Sequence, residues 1–130
     1  MGVFNWWKGA DETESGQLDK AKWNLLESES QLEEIIKHSG ERIQIIFKNS
    51  TSCGISGMVK RSFEANFPLR SEQAELHLIH VQYNRGLSNA IAQQFGVRHE
   101  SPQLLVIKNG NVVKHASHGG INNISVEDYL

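Results

Sequence analysis

Disulfide bonding within this chain is excluded by count, because its 130 residues include one cysteine, Cys53. The same scarcity rules out a zinc knuckle built on several cysteines, and in a reducing compartment a lone thiol is either core filler or a reagent. Long apolar runs are also missing. No stretch approaches the roughly 20 residues of a membrane span, and the opening Met-Gly-Val-Phe-Asn-Trp-Trp carries neither a basic leader with an apolar stretch nor a myristoylation serine or threonine. The expected location is cytoplasmic, with no membrane partner. Charge of one sign is not in excess: 13 Lys plus Arg against 15 Asp plus Glu give a net charge of −2, which argues against a nucleic-acid partner held by phosphate neutralisation. Internal repeats and low-complexity tracts are absent too.

What is present suffices for one compact domain. Hydrophobic residues make up 38% of the chain, enough for a single core. The charge is unevenly spread: residues 1–40 hold four basic and eight acidic side chains, and residues 41–130 hold nine and seven. A weak anion site in the second part is therefore allowed. Residues 8–22 are polar, with too little apolar surface to offset the entropy of ordering them. Residues 1–21 are thus expected to be a flexible extension whose Phe4, Trp6 and Trp7 dock on the domain or on a partner, and residues 22–130 to be the folded domain.

Within that domain the pattern alternates between strand and helix. Trp23 to Leu26 reads as a short strand. Ser28 or Ser30 then caps a helix, each having Gln31 or Glu33 three residues on to complete a capping box, with Leu32, Ile35 and Ile36 as its buried stripe and Gly40 at its end. Ile43 to Lys48 is a β-branched and aromatic run suited to a strand buried on both faces, which implies a parallel-sheet interior. Ile55, Met58, Val59, Phe63 and Phe67 recur at helical spacing up to Pro68. Leu76 to Val81 is the next strand, and Leu87, Ala90, Ile91 and Phe95 line a helix closed by Gly96. Leu104 to Lys108 and Val112 to Ser117 are strands joined by Asn109-Gly110, a strong hairpin signal. Gly119-Gly120 breaks the last strand, and Ser125 is placed to cap a short terminal helix.

Cys53 accordingly falls at a helix N-terminus directly after a central strand. Unpaired backbone N–H groups and the positive end of the helix dipole favour the thiolate there and lower its pKa. Ser56, three residues on, is placed to donate a hydrogen bond to that thiolate, and Gly54 keeps bulk away from the sulfur. The flanking Ser50, Thr51 and Ser52 argue against the buried, inert cysteine that a lone thiol more commonly is.

Element order, with a cysteine at the strand-to-helix junction, resembles the thioredoxin fold, an α/β architecture with a central mixed sheet flanked by helices. The stretch from Phe95 through Ser101-Pro102-Gln103 to Lys108-Asn109-Gly110 is similar to the thioredoxin segment in which a cis-proline opens a strand. That resemblance implies that Pro102 is cis and packs against Cys53, and that Ser101 offers its backbone to a substrate chain. Within the superfamily, Trp23, the run Ile46-Phe47-Lys48-Asn49-Ser50-Thr51-Ser52-Cys53-Gly54-Ile55-Ser56 and Glu100-Ser101-Pro102-Gln103 look most like monothiol bacilliredoxin-like proteins. The similarity covers residues 22–130. It implies a thiol–disulfide oxidoreductase that removes bacillithiol, or a similar small thiol, from S-thiolated client proteins through Cys53. It implies no tightly bound cofactor and no metal, with bacillithiol as co-substrate. Cys53, Ser56 and Pro102 are then the catalytic residues, and Thr51, Ser52, Gly54 and Ser101 the substrate contacts. The malate carboxylates of bacillithiol need cationic partners, for which Arg98 is the first candidate and Lys48 the second. Because position 56 is serine, resolution by an internal second cysteine is out of reach.

Two other readings stay open. Cys53-Gly54-Ile55-Ser56 is also similar to the Cys-Gly-Phe-Ser signature of monothiol glutaredoxins, and Pro102-Gln103 and Gly119-Gly120 to their glutathione-site elements; that likeness implies iron–sulfur cluster carriage, although Ile55 stands where those proteins have phenylalanine. The third reading is a non-catalytic adaptor of the same fold. Among the six histidines, the pairs His77/His80 and His115/His118 are three apart on strands and point to opposite faces, so neither pair chelates a metal. His99, three residues before Pro102, is a candidate proton donor to the thiol or else a solvated loop residue.

Overall fold

The computed structural model describes residues 22–50 and 54–130. The expected N-terminal extension, Phe4, Trp6, Trp7 and the triplet Thr51-Ser52-Cys53 lie outside the described residues. Five strands form one sheet among the described residues: β1 (Trp23–Leu25), β2 (Ile43–Asn49), β3 (Ala74–His80), β4 (Gln103–Lys108) and β5 (Asn111–Ser117), in the order β1-β3-β2-β4-β5. The helices are α1 (Glu29–His38), α2 (Gly54–Asn66) and α3 (Arg85–Phe95). β3 runs parallel to both β1 and β2, whereas β4 is antiparallel to β2 and to β5. β2 is therefore central and all seven of its residues are buried, but only one of its neighbours is parallel. The sheet is mixed, and the parallel interior expected from the run of β-branched residues holds on one side only.

Local signals explain the boundaries. Ser28 caps α1: its Oγ accepts the Gln31 N–H at 3.3 Å and Gln31 Oε1 accepts the Ser28 N–H at 3.0 Å. At the far end Ser39, rather than Gly40, is the cap, and it ties the helix to the β4–β5 hairpin by accepting the Asn109 N–H at its carbonyl and the Gly110 N–H at Oγ, both at 2.8 Å. Asn109 and Gly110 have φ of 51° and 81°, the left-handed pair of a tight two-residue hairpin turn. Gly96 closes α3 with φ 65°. The chain after β5 forms short 3-10 turns, and Ser125 precedes the last of them without a side-chain cap bond. No helix among the described residues is long and apolar enough to cross a membrane.

The period of two along β2 divides the core. Ile43, Ile45 and Phe47 face α2 and pack with Val59, Phe63, Phe67, Leu76 and Leu78. Trp23 joins them, its ring 5.8 Å from Phe47 in an edge-on arrangement and its Nε1–H donating to Glu64 Oε2, which also accepts from Lys60 Nζ at 2.6 Å. On the opposite face Ile46 packs with Leu32, Ile35, Ile79, Ile91, Leu105 and Ile107 beneath α1 and α3. Truncating a ring such as Phe63 in the first cluster costs about 3–5 kcal/mol.

The buried stripe of α2 differs from the expected one. Ile55 and Met58 are exposed, at 57% and 64%, and the inward positions are Ser56, Val59 and Phe63. At 100° per residue, Ser56 and Phe63 lie 60° and 40° to the same side of Val59, while Met58 is turned 100° the other way. A polar residue thus occupies the first inward position of the helix.

Candidate functional site

The cysteine loop joins the C-terminal end of β2 to the first residue of α2. Chain connectivity puts Cys53 next to Gly54 and three residues from Ser50. The loop is closed at its base: the Ser50 N–H donates to Ser56 Oγ at 3.3 Å, and Ser56 is fully buried. The Ser56 hydroxyl accepts this bond, and a hydroxyl can also donate. Gly54 is exposed, and a Cβ built on it meets nothing within 4 Å, so bulk at this position is not excluded by neighbours. Exposed Ile55 and Met58 flank the loop on its helical side.

Ser50, where the loop begins, shares a cavity with the segment that leads into β4. The Ser101-Pro102 bond is cis, as the family resemblance implied, and Pro102 is buried with its carbonyl accepting the His118 N–H at 3.0 Å. Ser101 Oγ is buried and has no hydrogen-bond partner among the described residues. Between this segment, Ser50 and the start of α3 lies an open cavity of about 430 Å³, lined by Ser50, Arg85, Ser88, Asn89, His99 and Ser101 together with Val81 and Gln82 of the 3-10 turn.

Under the cavity wall sits Lys48, fully buried. Its Nζ donates to the Ser88 carbonyl at 3.1 Å and to His99 Nδ1 at 3.2 Å, and burial lowers its pKa to about 8. Ser88 Oγ lies 2.9 Å from the same ring nitrogen. An ammonium can only donate, so Nδ1 is an acceptor and the imidazole proton sits on Nε2. Burial and the nearby Lys48 charge both lower the His99 pKa, which keeps the ring neutral at pH 7.

The sequence-derived site residues are thus distributed unevenly. Gly54 and Ser56 lie in the first turn of α2 and Ser101, next to Pro102, shares a cavity with Ser50, while Thr51, Ser52 and Cys53 belong to the part outside the described residues. Lys48, expected as a surface contact for the small thiol, is an interior residue that reaches the cavity only through Ser88 and His99. Arg98 is exposed but is not one of the cavity's lining residues; its carbonyl accepts from Gln103 Nε2 at 2.8 Å, and its side chain lies near Glu100, whose pKa it helps to lower. Arg85, Ser88 and Asn89 were missed. The only sequence hint was Lys48 itself, a charge in phase with Ile46 on a strand that is otherwise buried.

A lone cysteine in the connection between a central strand and the helix that follows it, a cis-proline just ahead of the adjacent strand, and this strand order define a thioredoxin-fold protein of the thiol redox class. Solved structures agree. An oxidoreductase described as having a thioredoxin fold is 31% identical, with a TM-score of 0.68 over 82% of this chain and 89% of that one. Thioredoxins from Trypanosoma brucei brucei (12% identity, TM-score 0.64, 85% and 90% covered) and Malassezia sympodialis (13%, 0.64, 90% and 92%) share the fold. A family model described as monothiol bacilliredoxin BrxC matches residues 24–126, and the chain belongs to that family.

Proposed function

We propose that the protein is a monothiol thiol–disulfide oxidoreductase that removes bacillithiol, or a closely similar small thiol, from mixed disulfides on client proteins. The reading is carried by one observation: the only cysteine of the chain falls inside the span matched by the monothiol bacilliredoxin family. In the first step the Cys53 thiolate attacks the small-thiol sulfur of the client disulfide. A Cys53–small-thiol disulfide forms, the client S–S bond breaks, and the client leaves as thiolate to be protonated by solvent. In the second step another small-thiol molecule, as thiolate, attacks its counterpart on Cys53. Cys53 leaves as thiolate, and the small thiol departs as its symmetrical disulfide, so each client freed consumes one free small thiol and exchanges the client mixed disulfide for the symmetrical one. No second cysteine, metal or nucleotide takes part.

The surroundings support these roles. Ser56 carries an O–H of the kind that stabilises a thiolate, and the cis-proline segment offers the backbone of Ser101 to a client chain. Exposed Ile55 and Met58 supply apolar contact for that client. The assay is release of the small thiol from an S-thiolated client by anaerobically purified protein. Wild type is expected to be colourless and active, and Cys53→Ser inactive. A coloured protein with bound iron would replace this reading with cluster carriage, and a colourless wild type no faster than Cys53→Ser would replace it with the adaptor.

A further inference from the structure

We infer that the cavity beside the cysteine loop recognises a carboxylate of the small thiol, with Arg85 and the Nε2–H of His99 as its direct partners and Lys48 as the buried positive charge behind them. This rests on the proposed small-thiol chemistry and names the residues that select its substrate.

The argument begins with an imbalance. Lys48 is fully buried, yet the partners of its ammonium, a carbonyl and a neutral imidazole, carry no negative charge. An interior cation without a counter-charge is costly. No carboxylate occurs among the described residues that line the adjoining cavity, and the nearby Glu100 is directed to Ser117, Arg98 and His118. Arg85 lines the same space and makes no ion pair among the described residues. The cavity therefore carries positive potential from two sides, from exposed Arg85 and from buried Lys48.

The hydrogen-bonding chemistry has the same sign. Lys48 holds His99 Nδ1 as an acceptor, which leaves Nε2–H as a donor whose orientation is set from within the core. Ser101 adds a buried hydroxyl without a partner among the described residues. Donors of this kind match a carboxylate, and Arg85 can bind one in bidentate fashion. A volume of about 430 Å³ suits the polar part of a small organic thiol.

The test uses the full chain and one client peptide carrying three mixed disulfides in turn: with mercaptosuccinate, a dicarboxylate; with mercaptoethanol, neutral; and with cysteamine, a cation. The wild type is expected to release mercaptosuccinate about tenfold faster than mercaptoethanol, with cysteamine slowest. Arg85→Gln and His99→Phe are expected to bring the ratio of the first two rates close to one. Succinate, which has no thiol, should also raise the melting temperature of the wild type and leave that of Arg85→Gln unchanged. Equal release of all three thiols by an active protein, or no response to succinate, would overturn the inference while leaving the redox reading intact. Failure to release any of the three, with the succinate response retained, would remove the redox reading and keep the anion site.

Discussion

Two polar clusters built on buried residues, Gln44 and His77 in one and Lys48, Ser88 and Gln103 in the other, lie on the same face of the sheet at opposite ends of β2, and only one of them is electrically complete. At the N-terminal end, His77 Nε2–H donates to Gln44 Oε1 at 2.8 Å, and the adjoining Glu75 carboxylate pairs with His38 at 3.1 Å and Arg42 at 3.5 Å. At the C-terminal end, Lys48 meets Ser88 and His99 with no carboxylate partner, and Gln103, directly across from it in the β2–β4 register, has a buried Oε1 with no partner among the described residues. Ile46, Ile79 and Leu105 separate the two. The first cluster closes on itself and stabilises the fold. The second is unbalanced beside a cavity and next to the cysteine loop, the arrangement expected where a ligand supplies the missing charge.

The largest expected effects come from titrating each cluster. Burial lowers the His77 pKa from 6.5 to about 4. The unfolded chain then binds more protons between pH 6.5 and 4, so stability is lost as pH drops through that window, by on the order of 3 kcal/mol. Urea unfolding of wild type and His77→Gln, which keeps an N–H for Gln44 but does not titrate, measures the difference. His99, also lowered, adds a smaller loss of the same sign. An identical slope in both proteins would remove His77 from the account.

Lys48 works in the opposite range. Its pKa of about 8, against 10.5 for a free lysine, means that the unfolded chain holds the proton between pH 8 and 10.5 and the folded chain releases it. Stability attributable to this residue is lowest below pH 8 and rises through the window, by up to about 3 kcal/mol. Lys48→Met abolishes that rise, as unfolding at pH 7.5 and 10 reports, and should unfold no more easily than wild type at pH 7.5. Marked destabilisation of Lys48→Met at neutral pH would mean that the ammonium is a structural tie like its counterpart at the other end. A smaller effect sharpens the boundary of the site: Ser56→Ala removes the acceptor of the Ser50 N–H at the base of the loop and should cost about 1 kcal/mol by the same measurement.

How much of this was legible in the sequence depended on whether the signal was local. The Ser28–Gln31 box, the Asn109-Gly110 turn and the left-handed Gly96 act within a few residues, and each set its boundary as read. The burial of β2 followed from four β-branched or aromatic residues, Ile43, Ile45, Ile46 and Phe47, in the six positions from Ile43 to Lys48. The stripe of α2 was misread because hydropathy passes over Ser56, a small polar residue buried by bonding to Ser50, and ranks exposed Ile55 and Met58 above it. The junction between β2 and α2 that holds Cys53 was read from the change in hydrophobic period, whereas the cis-proline came from the family resemblance. The partnership of Lys48 with His99, 51 residues away, and of both with Ser88 on α3, is set by packing of α3 on the sheet and leaves no spacing to read.

The central claim is that a single cysteine takes the small thiol from the client, and intact-mass spectrometry after one turnover tests it most directly. Protein mixed with an S-bacillithiolated client in the absence of free thiol should gain one bacillithiol on Cys53 while the client appears as free thiol. A covalent disulfide between Cys53 and the client, or an unchanged client beside unmodified protein, would contradict it.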